Sequence, residues 1–159
     1  MSLLNKEPVK RAERALKEFD ETLSVTELEN TARTALDAAK SLNCEVGAIV
    51  KSLLFKNGDN FFLCLVSGDK RCSLNKLKKF FNSKDLSMAS PNDVKEQTGY
   101  TIGGVSPIGH TNRLQILVDS SLNRFEDLFA AAGHPNCIFK INFEDLKKIT
   151  NGIIEDIIE

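Results

Sequence analysis

Residues 98–110, with the sequence TGYTIGGVSPIGH, place four glycines and one proline within thirteen positions. Glycine lacks a Cβ atom, so the backbone here can adopt positive φ and its N–H groups can approach a small electron-rich ligand closely. Pro107 stiffens the end of the segment. Two interpretations are open: a loop that binds a ligand through its main chain, and a structural turn between a helix and a strand.

Two amphipathic helices are predicted near the amino terminus. Apolar residues recur there at spacings of three and four, which is the helical period. They are Val9, Ala12, Leu16 and Phe19. A second helix is predicted to begin near Thr34, because Thr34 and Asp37 resemble a capping box, and to end before Asn43.

The hydrophobic period then changes from helix to strand. Residues 48–56 (AIVKSLLFK) and 60–66 (NFFLCLV) are rich in β-forming side chains, and the dipeptide Asn57-Gly58 between them favours a tight hairpin turn. Further strands are predicted over residues 114–119 and 137–141. Short helices are predicted near residues 74–81, from Ser90 to Gly99, from about Phe125, and from Asn142.

This order of elements predicts the fold class. Strands interleaved irregularly with short helices do not fit the regular βα alternation of a doubly wound sheet. We therefore expect an α+β fold, a curved mixed β-sheet or barrel surrounded by short helices. A chain of 159 residues is long enough to bury one substantial core, so we expect residues 1–159 to form a single domain.

Composition excludes several classes of function. With 21 basic and 22 acidic residues the net charge is about −1, which excludes a protein that grips a long stretch of nucleic acid. No apolar run is long enough for a membrane helix and no signal peptide is evident, so we expect a cytoplasmic protein without a membrane partner. Four cysteines without a CxxC pair and only two histidines predict no metal site, no disulfide and no cofactor.

Lys51 is the first candidate for chemistry. Strand alternation places it on one face with Ile49, Leu53 and Phe55, and a lysine among apolar neighbours needs a carbonyl, carboxylate or phosphate partner or a lowered pKa. The alternative is a lysine at the strand edge whose ammonium group reaches water. Ser52 faces the other way and ranks below Lys51.

Ser106, His110 and His134 are further candidates. The spacing around Ser106 is not the GxSxG of a serine hydrolase, so Ser106 is expected to orient a ligand. Each histidine could serve as an acid, a base or a ligand donor, or could simply make a structural hydrogen bond. No phosphate-binding GxxxxGK[ST] or GxGxxG motif occurs.

Together these residues resemble the YbaK/ProX family of trans-acting aminoacyl-tRNA deacylases, which are related to the editing domain of bacterial prolyl-tRNA synthetase. The most specific elements of the resemblance are the lysine after a short apolar run and the GxxxP loop at residues 103–107. The similar segments cover most of the chain: TARTALDAAKSLN, AIVKSLLF, SGDKRCSLNKLKKF, TGYTIGGVSPIGH, AAGHPNCIF and DLKKIT.

The resemblance implies a pocket that receives the aminoacylated 3′ end of a mischarged tRNA and hydrolyses its ester, with prolyl-tRNA synthetase as a second partner. It implies a catalytic role for Lys51. Substrate-binding positions are expected at Gly103, Gly104, Ser106, Pro107, His110 and His134. Where the cysteine-directed branch carries an aspartate, near Ile138, this chain is apolar, which argues against cysteinyl-tRNA as the substrate. The substrate that the resemblance implies is tRNA for proline bearing alanine or another small amino acid.

Two other classes of function remain open. One is a module that binds tRNA or a synthetase without catalysis. The other is a binding protein for a free amino acid or a nucleotide. The sequence identifies no protein general base, and the resemblance suggests that the terminal ribose hydroxyl of the tRNA helps to activate water.

Overall fold

A computed structural model describes residues 2–30 and 32–159. Thr31, which begins the segment TARTALDAAKSLN, lies outside the described residues. The described strands are β1 (Val25–Glu27), β2 (Ile49–Asn57), β3 (Asn60–Ser67), β4 (Leu86–Met88), β5 (Gln115–Asp119), β6 (Leu128–His134), β7 (Cys137–Ile141) and β8 (Ile153–Glu155). The helices are α1 (Glu7–Phe19), α2 (Ala35–Leu42), α3 (Leu74–Phe81), α4 (Pro91–Thr98) and α5 (Phe143–Thr150).

All of these strands belong to one mixed, curled sheet. Its order is β1-β7-β6-β2-β3-β5-β8, and β4 pairs with β2 off this path. The hairpin β2–β3 is antiparallel, whereas β6 runs parallel to β2 and both β5 and β8 continue the sheet in parallel pairs. The predicted α+β class with a curved mixed sheet and short helices is confirmed.

The edge of β2 opposite β3 has an interruption. β6 pairs only with Ile49 and Val50, and β4 pairs only with residues 55–57. Just before β4 pairing begins, the Leu54 carbonyl accepts a hydrogen bond of 3.0 Å from the Ala89 amide. Residues 51–53 therefore have a paired strand on one side only, and a cavity opens on the other side.

The hydrophobic core divides between the two faces of the sheet. Val50 and Leu54 of β2 pack in the main core, to which α1 contributes Leu16. On the opposite face Phe55 packs with Leu77 of α3. Burial of one such leucine contributes about 1.5–3 kcal/mol, so these contacts hold the helices to the sheet.

Helix ends follow the predicted chemistry. The Thr34 hydroxyl accepts a hydrogen bond from the Asp37 amide at 3.1 Å, and α2 ends where Asn43 adopts the left-handed conformation. Ser90 and Asp93 form a reciprocal capping box at the start of α4. Gly99 ends α4 with a φ of 79°, so the glycine-rich segment begins at a helix end, as expected. No helix in the described part of the chain is long and apolar enough to cross a membrane.

The helix predicted from about Phe125 is wrong. A 3-10 turn ends at Arg124, and residues from Leu128 onward form β6. In β6 buried and half-buried positions alternate, because the strand lies between β2 and β7 and small alanine side chains fit on both of its faces. Tertiary packing therefore overrides the helical propensity of the run Ala130 to Ala132.

The hairpin β2–β3 is confirmed, but its turn lies one residue further along. Asn57 pairs with Asn60, so the two central residues are Gly58 and Asp59. Gly58 has a φ of 60°. Positive φ at the first central position but not at the second, Asp59, is the type II′ pattern, which favours glycine at the first.

Candidate functional site

A cavity of about 360 Å³ occupies the interruption beside β2. Its walls come from the start of α2, the β4–α4 region, the glycine-rich loop, and the β6–β7 turn. Most lining side chains are apolar. The lining residues are Ala32, Arg33, Thr34, Ala35, Ala38, Ile49, Val50, Lys51, Ser52, Leu53, Leu54, Met88, Ala89, Val94, Ile102, Gly103, Val105, Ala131, Pro135 and Ile138.

Lys51 lies in this cavity with its side chain about half-buried. Its Nζ donates a hydrogen bond of 2.6 Å to the Lys70 carbonyl oxygen. Burial lowers the pKa of Lys51, while the nearby Cys72, Asp69 and Asp119 oppose that shift. Within residues 2–30 and 32–159 no carboxylate comes within 4.0 Å of Nζ, so the ammonium keeps hydrogen-bond donors for a ligand.

The turn that supplies the Lys70 carbonyl is held by a polar network that is buried at Ser67 and Asp119 and partly exposed at its ion pair. Asp119 accepts a hydrogen bond from the Ser67 amide at 3.0 Å. Arg124 forms an ion pair of 2.8 Å with Asp69, which lowers the pKa of Asp69 to about 2. The partner of the lysine is therefore a carbonyl on a rigid turn.

The glycine-rich loop reaches the same cavity through Gly103 and Val105. Gly103 has a φ of 93°, a conformation that favours glycine. The Gly104 amide is occupied by a 2.9 Å hydrogen bond to Thr101, whereas the amides of Gly103 and Val105 donate to no described residue. Both amides thus belong to residues that line the cavity and have no hydrogen-bond acceptor among the described residues.

Gly104 lies behind this wall and fixes the position of the loop. Its carbonyl accepts a hydrogen bond of 3.0 Å from the Gly133 amide. A Cβ atom on Gly104 would approach the backbone of Gly133 and His134 to 3.0 Å. This close contact with backbone atoms favours a glycine and joins the loop to the end of β6.

Besides Gly104, three further predicted site residues on the glycine-rich loop do not line the cavity. Ser106 is fully buried, and its carbonyl accepts a 2.6 Å hydrogen bond from Nε2 of His110. Burial lowers the pKa of His110. Pro107 and His110 line a separate open groove beside α1 and α5. Their substrate-binding roles remain predictions.

His134 is adjacent to the cavity but does not line it. Its Nδ1 accepts a 3.0 Å hydrogen bond from the Asn136 amide, and the next residue, Pro135, belongs to the cavity wall. The structure thus brings Lys51 and Gly103 to one cavity, with Gly104 and His134 immediately behind it.

The sequence analysis missed Arg11, which anchors both ends of the loop. Its guanidinium donates to the carbonyls of Gly109 at 2.8 Å and Gly99 at 2.9 Å, and it lies 4.6 Å from the centre of the Tyr100 ring. The Tyr100 hydroxyl in turn donates to Ile108 at 2.8 Å. In the sequence Arg11 appears as one charge among several on a solvated helix face, because main-chain carbonyl partners leave no sequence signal.

The sequence analysis ranked Ser52 below Lys51, and the structure places both residues at the cavity. Ser52 lines the cavity, and its Oγ is buried without a hydrogen-bond partner in the described part of the chain. Strand alternation correctly separated Ser52 from Lys51. Both faces of β2 reach the cavity, however, because the cavity lies at the edge of the strand.

Fold and cavity together define a small mixed-sheet α+β structure with a pocket at an interruption in the sheet. Residues 29–149 match the family model of the aminoacyl-tRNA editing domain, and the chain belongs to that family. The resemblance noted from the sequence is confirmed at this level.

Individual relatives agree with this assignment. The uncharacterized protein YwhH of Bacillus subtilis (strain 168) is 35% identical over 127 residues, which are 79% of this chain and 80% of YwhH. A proline–tRNA ligase of Thermosipho melanesiensis is 36% identical over 106 residues, which are 65% of this chain but 19% of the ligase. A crystal structure of a proposed trans-editing enzyme for prolyl tRNA synthetase superposes with a TM-score of 0.92 at 35% identity, covering 97% of this chain and 98% of that one.

Proposed function

We propose that this chain is a single editing domain that acts in trans, hydrolysing the ester of mischarged tRNA for proline bearing alanine or another small amino acid. The aminoacylated 3′ end of the tRNA is the partner, and prolyl-tRNA synthetase is a second partner. The observation that carries the proposal is the meeting of Lys51 and Gly103 in one largely apolar cavity.

The chemistry requires little from the protein. An aminoacyl ester is already activated, so its hydrolysis needs a positioned water and stabilisation of the oxyanion that develops on the carbonyl oxygen. The amides of Gly103 and Val105, which donate to no described residue, are candidates for that stabilisation. One preorganised donor contributes about 3–4 kcal/mol to the transition state.

Lys51 is proposed to anchor the substrate. Its Nζ is held by the Lys70 carbonyl and keeps donors for the terminal phosphate or the ester carbonyl. No general base from the protein is assigned, and the terminal ribose hydroxyl is proposed to assist the water.

The shape of the cavity supports a small substrate. About 360 Å³ lies at the small end of ligand sites, and alanine side chains from α2 and β6 form part of its wall. One methylene group changes discrimination by only about 1–3 kcal/mol, so a separate site that admits small side chains is useful for proofreading. Ile138, which lies in the wall, offers no polar partner to a thiol.

The first test is release of labelled amino acid from a panel of charged tRNAs. Alanine, cysteine, serine and 2-aminobutyrate are each placed on tRNA for proline and compared with correctly charged prolyl-tRNA. Selective loss of the small wrong amino acids with prolyl-tRNA spared is expected. Absence of hydrolysis across the whole panel would refute the enzymatic proposal.

Lys51→Ala separates catalysis from binding. We expect kcat/KM for the preferred substrate to fall by about 100-fold, the scale found when an electrostatic group is removed from a reaction centre, with a smaller loss of tRNA affinity. Lys56→Ala is the matched control, because Lys56 lies on the same strand but outside the cavity. Equal losses of hydrolysis and binding would instead show that Lys51 contributes only to tRNA binding, whereas a non-catalytic tRNA-binding module would hydrolyse no ester even as the wild-type protein.

A further inference from the structure

The interruption in strand pairing beside β2 leaves the main-chain N–H and C=O of one β2 residue without a strand partner on the cavity side. The Ile49 carbonyl accepts from Gly68, on the β3 side, whereas the Leu54 carbonyl accepts from Ala89, on the opposite side. Main-chain groups alternate between the two sides along a strand, so Val50, Ser52 and Leu54 all face away from β3. Val50 pairs with β6, and the Leu54 carbonyl accepts a hydrogen bond from Ala89. Of these three residues, only Ser52 has no main-chain partner among the described residues on that side.

No strand in the described chain pairs with Ser52 on that side. The parallel ladder with β6 ends at the pair Val50 and Ala130, and pairing with β4 begins only at Phe55. The Ser52 N–H and C=O therefore face the space that a missing strand residue would fill, and Ser52 lines the cavity found there.

The side chain of Ser52 is also unsatisfied. Its Oγ is the buried side-chain oxygen or nitrogen that finds no hydrogen-bond partner among the described residues. A buried hydroxyl without a partner is unfavourable and calls for an explanation. Here the unpaired hydroxyl and the unpaired carbonyl belong to one residue of the cavity wall.

The cavity offers no charged acceptor. None of its described lining residues is an aspartate or a glutamate. A cationic group of a bound ligand would therefore have to be received by neutral oxygens. The Ser52 carbonyl and hydroxyl are neutral acceptors in the wall that no described residue occupies on this side of the strand.

An aminoacyl ester matches this arrangement. Opposite residues of an antiparallel ladder exchange an N–H and a C=O, and an aminoacyl ester likewise carries an ammonium donor and a carbonyl acceptor on adjacent carbons. We propose that Ser52 binds the α-ammonium group of the aminoacyl substrate through its carbonyl and Oγ, so that the substrate occupies the missing position of the ladder. This inference rests on the proposed editing function.

The test compares two substrates that differ at the α-position. Alanyl-tRNA and lactyl-tRNA, both on tRNA for proline, carry the same methyl side chain but an ammonium and a hydroxyl group, respectively. Each enzymatic kcat/KM is divided by the uncatalysed hydrolysis rate of the same ester. The normalised rate of the wild-type protein is expected to be about 10-fold or more higher for the alanyl ester, because a hydrogen bond from a charged group is stronger than one from a neutral hydroxyl.

Ser52→Ala should reduce the normalised alanyl rate by about 10-fold and the lactyl rate by no more than about 3-fold. Ser52→Thr keeps the hydroxyl and should recover most of the preference for the ammonium group. Thermal unfolding of each variant checks that the fold is intact.

The outcomes separate the two proposals. An equal loss on both esters, with alanyl-tRNA still hydrolysed by the wild-type protein, would show that Ser52 is only structural and would overturn this inference alone. Wild-type protein that hydrolyses neither ester would overturn the editing function and the role of Ser52 together.

Discussion

Removal of Arg11 should release the glycine-rich loop from the rest of the protein. The guanidinium bonds the carbonyls of Gly99 and Gly109, at the two ends of the loop, and covers the Tyr100 ring between them. Arg11→Ala would therefore remove both anchors at once and leave a cavity beside the ring.

The size of the effect follows from these contacts. A hydrogen bond from a charged group contributes about 1.5–3 kcal/mol, and a guanidinium over an aromatic ring about 0.5–1 kcal/mol. The Arg11 side chain is 21% exposed to solvent, so we take the lower end of each of these energy ranges. We expect the free energy of unfolding to fall by about 3 kcal/mol, which lowers Tm by about 6–12 °C for a chain of this length.

Urea unfolding and thermal melts of Arg11→Ala measure this loss directly. Arg14→Ala is the matched control, because Arg14 lies on the same helix with its side chain 64% exposed and only a 3.8 Å contact to Glu7. Such a surface pair contributes little, so that variant should change stability by less than about 1 kcal/mol. If Arg11→Ala destabilises the protein no more than Arg14→Ala does, the loop is not held by this guanidinium.

Two further predictions concern the loop and the lysine turn. Gly104→Ala forces a Cβ atom against the backbone of Gly133 and should lower the free energy of unfolding by about 1–3 kcal/mol. It should also reduce the proposed hydrolysis of alanyl-tRNA, and an unchanged Tm and rate would contradict the close packing. Because the folded pKa of Asp69 is about 2 against an ordinary 3.8, its contribution to stability is present above about pH 4 and is lost as pH falls toward 2. Urea midpoints of the wild-type protein and Asp69→Asn should therefore converge between pH 4 and pH 2, and a constant difference would refute this role.

The sequence predicted those parts of the fold that local chemistry determines. Caps at Thr34 and Ser90 and the helix end at Gly99 were placed correctly, because each depends on residues within one turn of the helix. The hairpin β2–β3 was recognised for the same reason. Its turn was misplaced by one residue, since both Asn57 and Gly58 suit a position with positive φ.

Several elements that depend on distant partners were not predicted, although the strands β5 and β7 were. The sequence of β6 has the local propensity of a helix, and it forms a strand because β2 and β7 lie on either side of it. The three-residue strands β1, β4 and β8 are too short for a period to be seen. The interruption beside Ser52 is likewise a property of which strands reach β2, and no residue type encodes it.

The candidate site shows the same division. Lys51 and Gly103 were found because a lysine in an apolar strand and a glycine-rich loop are unusual patterns, and the structure places both at one cavity. Arg11 was missed because its partners are main-chain carbonyls, and those are the same for every residue type.

The parallel pairing of β6 with β2 has a consequence during synthesis of the chain. Lys51 and the glycine-rich loop leave the ribosome well before residues 128–138, yet those later residues supply the far wall of the cavity. They also supply the Gly133 amide that bonds the Gly104 carbonyl of the loop. The pocket is therefore completed by one of the last strands to emerge. A nascent chain that has not yet made β6 therefore carries the lysine and the loop without an enclosed cavity between them.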